Sequence, residues 1–115
     1  MPVTGIGGLF FRAKDPDALK AWYCDMLGVG CGDYGMWDQQ AGTTVFSPFK
    51  ADTDYFPADR QYMLNLRVVG LDELISRLRE GGIDVPKVDV MDGVGRFARI
   101  HDPEGNPIEL WEPAG

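Results

Sequence analysis

The sequence predicts an α+β fold made of two tandem βαβββ modules. Each half of the chain reads as a strand, an amphipathic helix and about three further strands. Residues 11–19 align with residues 66–74, and residues 45–48 align with residues 110–113 in the same order. An internal repeat of this kind is typical of a duplicated supersecondary unit. Two such modules can pair their sheets into a curved, open half-barrel with the helices on the outer face.

The length of 115 residues predicts a single domain that covers residues 1–115. We assign module one to residues 4–48, a linker to residues 49–61 and module two to residues 62–113. The linker combines Lys, Asp, Pro and aromatic residues without a regular period, which favours a long surface loop.

Module one begins with an apolar strand at residues 6–13. Asp15 and Pro16 then mark a helix start, with Asp as the N-cap and Pro in the first turn. Gly28 ends this helix as a C-terminal glycine. Further strands are predicted within residues 29–38 and at residues 43–46. The helix has one apolar face, formed by Leu19, Trp22, Tyr23, Met26 and Leu27.

Module two repeats this order, with a strand at residues 62–69 and a short edge strand at residues 85–90. Between them lies a second amphipathic helix that contains Leu71, Leu74, Ile75 and Leu78 and ends at Gly81 and Gly82.

A polar turn at residues 102–107 separates the last two apolar runs and predicts a closing β-hairpin. In its second strand, alternation places Ile108 and Leu110 on one face, with Glu109 and Trp111 on the other.

Charge and composition exclude several classes of function. The net charge of −7 argues against binding to nucleic-acid phosphates, which needs a basic surface. No apolar run is long enough to span a membrane, and the N-terminus lacks the pattern of a secretory signal. Only two cysteines are present, Cys24 and Cys31. We therefore expect a reduced, cytoplasmic protein without a structural disulfide.

Residues 102–111, Asp-Pro-Glu-Gly-Asn-Pro-Ile-Glu-Leu-Trp, resemble the closing hairpin of the glyoxalase/bleomycin resistance protein/dioxygenase family, the vicinal oxygen chelate (VOC) superfamily. The resemblance implies the half-barrel architecture over essentially the whole chain. It also implies four metal-ligand positions, which here hold Gly8, Thr44, Met63 and Glu109. Only Glu109 is a competent ligand for a hard divalent cation, whereas a catalytic site uses about three protein ligands. We therefore expect the usual metal site to be degenerate and predict no cofactor.

The concave face of the half-barrel is the predicted binding site. Its aromatic walls would bury an aromatic or amphiphilic small molecule, while Glu109 and Asn65 would orient it. An alternative role for Arg12 and Arg67 is to pair with the Glu109 carboxylate in a purely structural cleft. Arg96 and Arg99 are further candidates. The predicted ligand-binding residues are Phe10, Arg12, Phe46, Met63, Asn65, Arg67 and Trp111.

Two other functions remain open. One is a metal-dependent lyase, isomerase or dioxygenase that uses Glu109 and His101, the only histidine, as atypical ligands or as catalytic groups. The other is an interaction module. We also expect a homodimer, either side by side or with modules exchanged between chains through the linker.

Overall fold

The structure, a computed structural model, describes residues 2–115. Its single sheet has four strands in the order β1-β4-β3-β2, in which β1 pairs with β4 in parallel and the other pairs are antiparallel. The sheet is curved and does not close, so the predicted α+β class is confirmed. The elements are α1 (Pro16–Leu27), a 3₁₀ turn (Asp33–Gly35), β1 (Leu64–Arg67), α2 (Leu71–Glu80), β2 (Val88–Met91), β3 (Gly95–His101) and β4 (Pro107–Pro113).

Helix α1 begins and ends where the sequence predicts. The Asp15 side chain accepts a hydrogen bond from the backbone N–H of Ala18 at 3.2 Å, and Pro16 opens the first turn. Gly28 has a φ of 68°, the left-handed conformation that a helix-ending glycine adopts. These signals are local, which is why the sequence alone locates the helix.

Helix α2 also occupies its predicted position, but its N-terminus is capped from a distance. Gly70, the residue before the helix, provides no capping side chain. Instead the carboxylate of Glu112 on β4 accepts the backbone N–H of Leu71 at 2.9 Å and also binds Arg96 on β3. This contact fixes the start of α2 against the sheet.

Strand β2 starts at Val88, three residues later than the predicted edge strand at residues 85–90. The Val85 side chain is buried against the core, and its carbonyl accepts a hydrogen bond from Arg79 Nη2 at 2.7 Å. Pro86 has no N–H to offer to a ladder. The segment therefore packs against α2 before it enters the sheet.

The strand predictions for module one are wrong for the single chain. Within residues 2–63 the structure contains α1 and the 3₁₀ turn but no strand. The stretches at 6–13 and 43–46 have the right residue pattern, yet they find no ladder partner, and Phe10 and Phe46 are 95% and 88% exposed. A strand needs a neighbour, and pairing is the part of strand formation that a local pattern does not supply.

The hydrophobic core lies between one face of the sheet and the two helices. Ile108 and Leu110 are fully buried there, as the alternation along β4 predicts. The opposite face of β4 therefore carries Glu109 and Trp111. The core consists of Leu19, Tyr23, Leu66, Leu71, Ile75, Leu78, Val85, Ala98, Ile100, Ile108 and Leu110.

Two contacts tie α1 to the closing hairpin. The Tyr23 hydroxyl donates a hydrogen bond of 2.7 Å to the buried carboxylate of Asp102. At the other end of α1, the Glu104 carboxylate accepts the backbone N–H groups of Lys14 and Asp15 at 2.6 and 3.0 Å. The hairpin turn therefore holds α1 against the closing hairpin.

Cys24 and Cys31 form a disulfide, so the expectation of two free thiols is wrong. That expectation came from the assumed compartment and not from geometry. The left-handed turn at Gly28 reverses the chain after α1 and brings the two Cα atoms to 5.0 Å, within the range that a disulfide spans. Within residues 2–115, no helix combines the length and the apolar character that a membrane crossing requires.

Candidate functional site

The face of the sheet opposite the core carries two rows of chemically distinctive side chains. The strand register places Asn65 on β1, Glu109 on β4 and Arg99 on β3 side by side. The next row on the same face contains Arg67, Trp111 and Phe97. Polar groups and aromatic rings thus lie next to each other on this face.

Glu109 is the most buried polar group of this face, with 8% exposure. Asn65 Nδ2 donates to its Oε1 at 2.7 Å, and the Tyr55 hydroxyl donates to its Oε2. A carboxylate that loses water needs such donors, because an unpaired buried charge is strongly destabilising. In the described part of the chain, no arginine or lysine forms an ion pair with Glu109.

Tyr55 comes from the predicted linker, and the sequence reasoning did not identify it. Its ring lies 5.1 Å from the guanidinium carbon of Arg99, a cation–π distance, and its carbonyl accepts a hydrogen bond from Arg99 Nη2 at 2.6 Å. Burial, followed by the hydrogen bond to Glu109, raises the pKa of the Tyr55 hydroxyl, which therefore stays protonated as a donor. The signal available in the sequence was three aromatic residues, Phe49, Tyr55 and Phe56, in a segment that would otherwise be solvated.

Trp111 and Phe97 form an aromatic wall beside this polar row. Their rings are nearly parallel, at an interplanar angle of 4° and a centroid distance of 6.2 Å. The indole N–H of Trp111 donates to the carbonyl of Val94 at 3.0 Å, which fixes the ring orientation. The wall is therefore held in place by its own contacts.

The other predicted ligand-binding residues lie at different distances from the row that contains Glu109. Arg67 Nη2 donates to the carbonyl of Gln40 at 2.9 Å, so Asn65 and Tyr55, and not an arginine, hold Glu109. Met63 is half-buried just before β1. Phe10, Arg12 and Phe46 lie in exposed segments outside the sheet, and nothing in residues 2–115 joins them by a hydrogen bond or ring contact to the Glu109 row.

An open groove of about 640 Å³ adjoins the polar row. Arg99 and His101 on β3 form one side of it, and the loop at residues 52–58 forms the other. Tyr55 lines this groove while its hydroxyl reaches Glu109, so the tyrosine stands between the groove and the carboxylate. Arg96, by contrast, points its guanidinium to Glu112 and Asp72 on the helix side.

A family model described as a glyoxalase-like domain matches residues 8–111. The chain therefore belongs to this family, and the resemblance of its closing hairpin to the glyoxalase/bleomycin resistance protein/dioxygenase family is confirmed.

Among solved structures, the chain is similar to TnmS3, an antibiotic binding protein from Streptomyces sp. CB03234, with 25% identity, 99% of both chains covered and a TM-score of 0.66. A lactoylglutathione lyase from Agrobacterium tumefaciens has 22% identity over 97% of this chain and 96% of that chain, with a TM-score of 0.63. A member of the glyoxalase/bleomycin resistance protein/dioxygenase superfamily from Sphaerobacter thermophilus has 21% identity over 97% and 99%, with a TM-score of 0.62. These last two similarities show the fold alone.

The chain spans about half the length of some other solved structures that it matches, 47% and 52% in two cases, with TM-scores below 0.5. No curated protein sequence matches it.

The donor set does not fit the divalent metal that this family often holds. Within residues 2–115, no group of three or more His, Cys, Asp or Glu side chains is arranged to bind a metal ion. Among the four positions at which the resemblance implies metal ligands, Glu109 is the one that holds a ligand-type residue, and both of its oxygens already accept hydrogen bonds from the protein. The other three positions hold Gly8, Thr44 and Met63.

Proposed function

We propose that this protein binds an aromatic or amphiphilic small molecule on the concave face of its sheet, without a metal ion. The observation that carries the proposal is the Trp111–Phe97 wall beside the buried, hydrogen-bonded carboxylate of Glu109. A binding site for a drug-sized molecule combines apolar surface with a few fixed polar groups. The similarity to an antibiotic binding protein over 99% of both chains supports this assignment.

The two parts of the site have separate roles. The Trp111 and Phe97 rings offer apolar contact that is already oriented, so little side-chain entropy is lost on binding. Glu109 and Asn65 provide an acceptor and a polar neighbour that orient the ligand, and Arg99 provides a positive charge at the groove.

Binding to the aromatic wall is tested by isothermal titration with a panel of planar aromatic compounds, cationic amphiphiles and aromatic antibiotics. Trp111→Phe should weaken binding of any ligand found by about three- to tenfold, because the indole contributes contact area and stacking. Trp22→Phe is the matched control, since Trp22 packs against the core on α1. Equal effects of the two substitutions, or no binding by any compound, would contradict the proposal.

The degenerate metal site is the second part of the proposal. Elemental analysis of protein purified without chelators or metal-affinity steps should find less than about 0.1 equivalent of Zn, Ni, Fe or Mn, because too few ligands are available. A stoichiometric metal that is lost in Glu109→Gln would instead favour the alternative, a metal-dependent lyase, isomerase or dioxygenase that uses Glu109 and His101. The observation that favours this alternative is that His101 and Arg99 line the same groove.

We further propose that the protein acts as a homodimer, with modules at residues 4–48 and 62–113 joined by residues 49–61. The stretches of module one that carry Phe10 and Phe46 expose large apolar side chains, and within residues 2–115 the outer edge of β1 has no neighbouring strand. A second copy could cover both and place Phe10, Arg12 and Phe46 near a binding site. Light scattering coupled to size exclusion tests this, and a monomer at micromolar concentration would refute it.

A cytoplasmic location remains a prediction. The Cys24–Cys31 disulfide counts against a strongly reducing compartment, because such compartments keep thiols reduced. The redox state of the two cysteines in freshly lysed cells, trapped with a thiol-alkylating reagent, tests the point.

A further inference from the structure

Tyr55 places a phenol next to Glu109 on the sheet face opposite the core. Three groups recognise it: Glu109 accepts its hydroxyl, Arg99 lies over its ring, and Phe49 packs beside it at a centroid distance of 5.6 Å. An acceptor at the hydroxyl, a cation over the ring and an aromatic neighbour together make a binding site for a hydroxyaromatic ring. The chain itself occupies this site.

Arg60, just beyond the loop that supplies the phenol, anchors the end of this loop to the hairpin turn at residues 102–107, and Tyr55 connects the loop itself to the sheet. Thr53 and Tyr55 make hydrogen bonds within the loop, to Lys50 and Thr53. In the described part of the chain, Tyr55 is the only residue of the loop at 52–58 that forms hydrogen bonds to the sheet. Its hydroxyl donates to Glu109, and its carbonyl accepts a hydrogen bond from Arg99. Tyr55 also remains 47% exposed. Exchange of this one side chain for a ligand would therefore leave the rest of the sheet intact.

Arg99 is incompletely satisfied while Tyr55 is in place. Its Nε is buried and, within residues 2–115, has no hydrogen-bond partner. A buried donor without an acceptor is unfavourable, which lowers the free-energy cost of replacing the tyrosine by a group that also offers an acceptor. The arrangement with Tyr55 is thus one that a suitable ligand can improve.

We propose that the site selects planar hydroxyaromatic ligands, and that Tyr55 is their intramolecular competitor for the carboxylate of Glu109. The proposal rests on the proposed function, since it names the ligand class of the same site. Binding transfers the acceptor Oε2 of Glu109 from the Tyr55 hydroxyl to the ligand hydroxyl, and the loop at residues 52–58 moves off the sheet. In the wild type the ligand's hydrogen bond to Glu109 replaces that of Tyr55, so the affinity for a hydroxyaromatic ligand is lowered by the loss of the tyrosine's hydrogen bond.

The test compares 2-naphthol with 2-methoxynaphthalene, which has the same rings but no hydroxyl donor, by isothermal titration. Tyr55→Phe removes the competing hydroxyl and leaves an acceptor free for the ligand. The affinity for 2-naphthol should rise about tenfold from wild type to Tyr55→Phe, the value of one hydrogen bond to a charged acceptor, and in both proteins 2-naphthol should bind more tightly than its ether, which cannot donate to Glu109. Tyr34→Phe is the control, since Tyr34 is 97% exposed, and it should leave the affinity for 2-naphthol unchanged.

Each other outcome has a definite meaning. An unchanged or lower affinity for 2-naphthol in Tyr55→Phe would overturn the competition while leaving small-molecule binding in place. A failure of both naphthalenes to bind any variant would overturn the ligand class, and the proposed function would then be judged by the wider compound panel and Trp111→Phe. Thermal unfolding confirms that Tyr55→Phe is folded before its affinities are compared.

A second measurement follows the loop directly. In protein labelled with 3-fluorotyrosine, the ¹⁹F resonance of Tyr55 is the one that disappears in Tyr55→Phe. Saturation with 2-naphthol should shift it toward the position of the exposed Tyr34 resonance. A resonance that stays in place at saturation would overturn the displacement.

Discussion

The hydrogen bond from Tyr23 to Asp102 is the best place to test how α1 is held on the closing hairpin. Asp102 is buried in the hairpin turn, and its oxygens also accept the backbone N–H groups of Glu104 and Asn106 and the Asn106 side-chain amide. Tyr23→Phe removes one donor and keeps the ring, which contacts Trp22 edge-on at 5.0 Å. The substitution therefore isolates the hydroxyl.

The expected loss in the free energy of unfolding is about 1.5 kcal/mol. A hydrogen bond to a charged group contributes about 1.5–3 kcal/mol, and the lower end applies because Asn106 still donates to the same Asp102 oxygen. For a domain of this size, that loss corresponds to a fall in Tm of about 6 °C. Urea unfolding at neutral pH measures it, with Tyr34→Phe as the control for loss of an exposed hydroxyl.

The pH dependence gives the same experiment a second readout. Burial, followed by the hydrogen bond to Asp102, raises the pKa of Tyr23 above its usual value of 10.0. Above about pH 10 the unfolded chain loses this proton while the native protein keeps it, so the tyrosine's contribution to stability is complete below that pH and declines above it. The difference between wild type and Tyr23→Phe should therefore shrink from about pH 9 to about pH 11. A difference below about 0.3 kcal/mol that is constant with pH would refute the reasoning.

Two further predictions concern the ends of the helices. Reduction of the Cys24–Cys31 bond, or its replacement by serines, should lower the free energy of unfolding by about 2.5 kcal/mol, the chain-entropy value for so short a loop. Urea unfolding with and without a thiol reductant measures this, and two reactive thiols in the untreated protein would contradict it. Hydrogen bonds from the Leu71 N–H, and then from Arg96, lower the pKa of Glu112, so its contribution is present above pH 4.5 and lost as the pH falls through the lowered pKa. Glu112→Gln should therefore remove this part of the acid destabilisation in unfolding curves from about pH 7 to about pH 3, and an unchanged pH profile would count against the cap.

The elements that the sequence predicts well are those with local signals. Asp15, Pro16 and Gly28 define α1 by capping chemistry, and the turn at residues 102–107 defines the closing hairpin by its turn residues. Alternation along β4 then separates Glu109 from the core without any knowledge of its neighbours. Each of these inferences needs only residues within a few positions of one another.

The features that escaped prediction depend on distant partners. Tyr55 and Glu109 are 54 residues apart in sequence, and no period in the linker indicates that its tyrosine reaches the last strand. The residues at 6–13 have a strand pattern but join no ladder in the single chain. The Cys24–Cys31 disulfide was discounted from the expected compartment, whereas the turn at Gly28 decides its geometry. Pairing and closure are non-local, so composition and periodicity leave them open.

The side chains around Glu109 come almost entirely from the second half of the sequence. Asn65, Arg99 and Trp111 lie on β1, β3 and β4, and Tyr55 lies in the loop before β1. Under the proposed dimer, the first module would contribute Phe10, Arg12 and Phe46 to the rim. Sequence drift in the first 48 residues could then reshape which molecules fit while the carboxylate and its donors stay untouched, so ligand range and ligand anchoring would evolve separately.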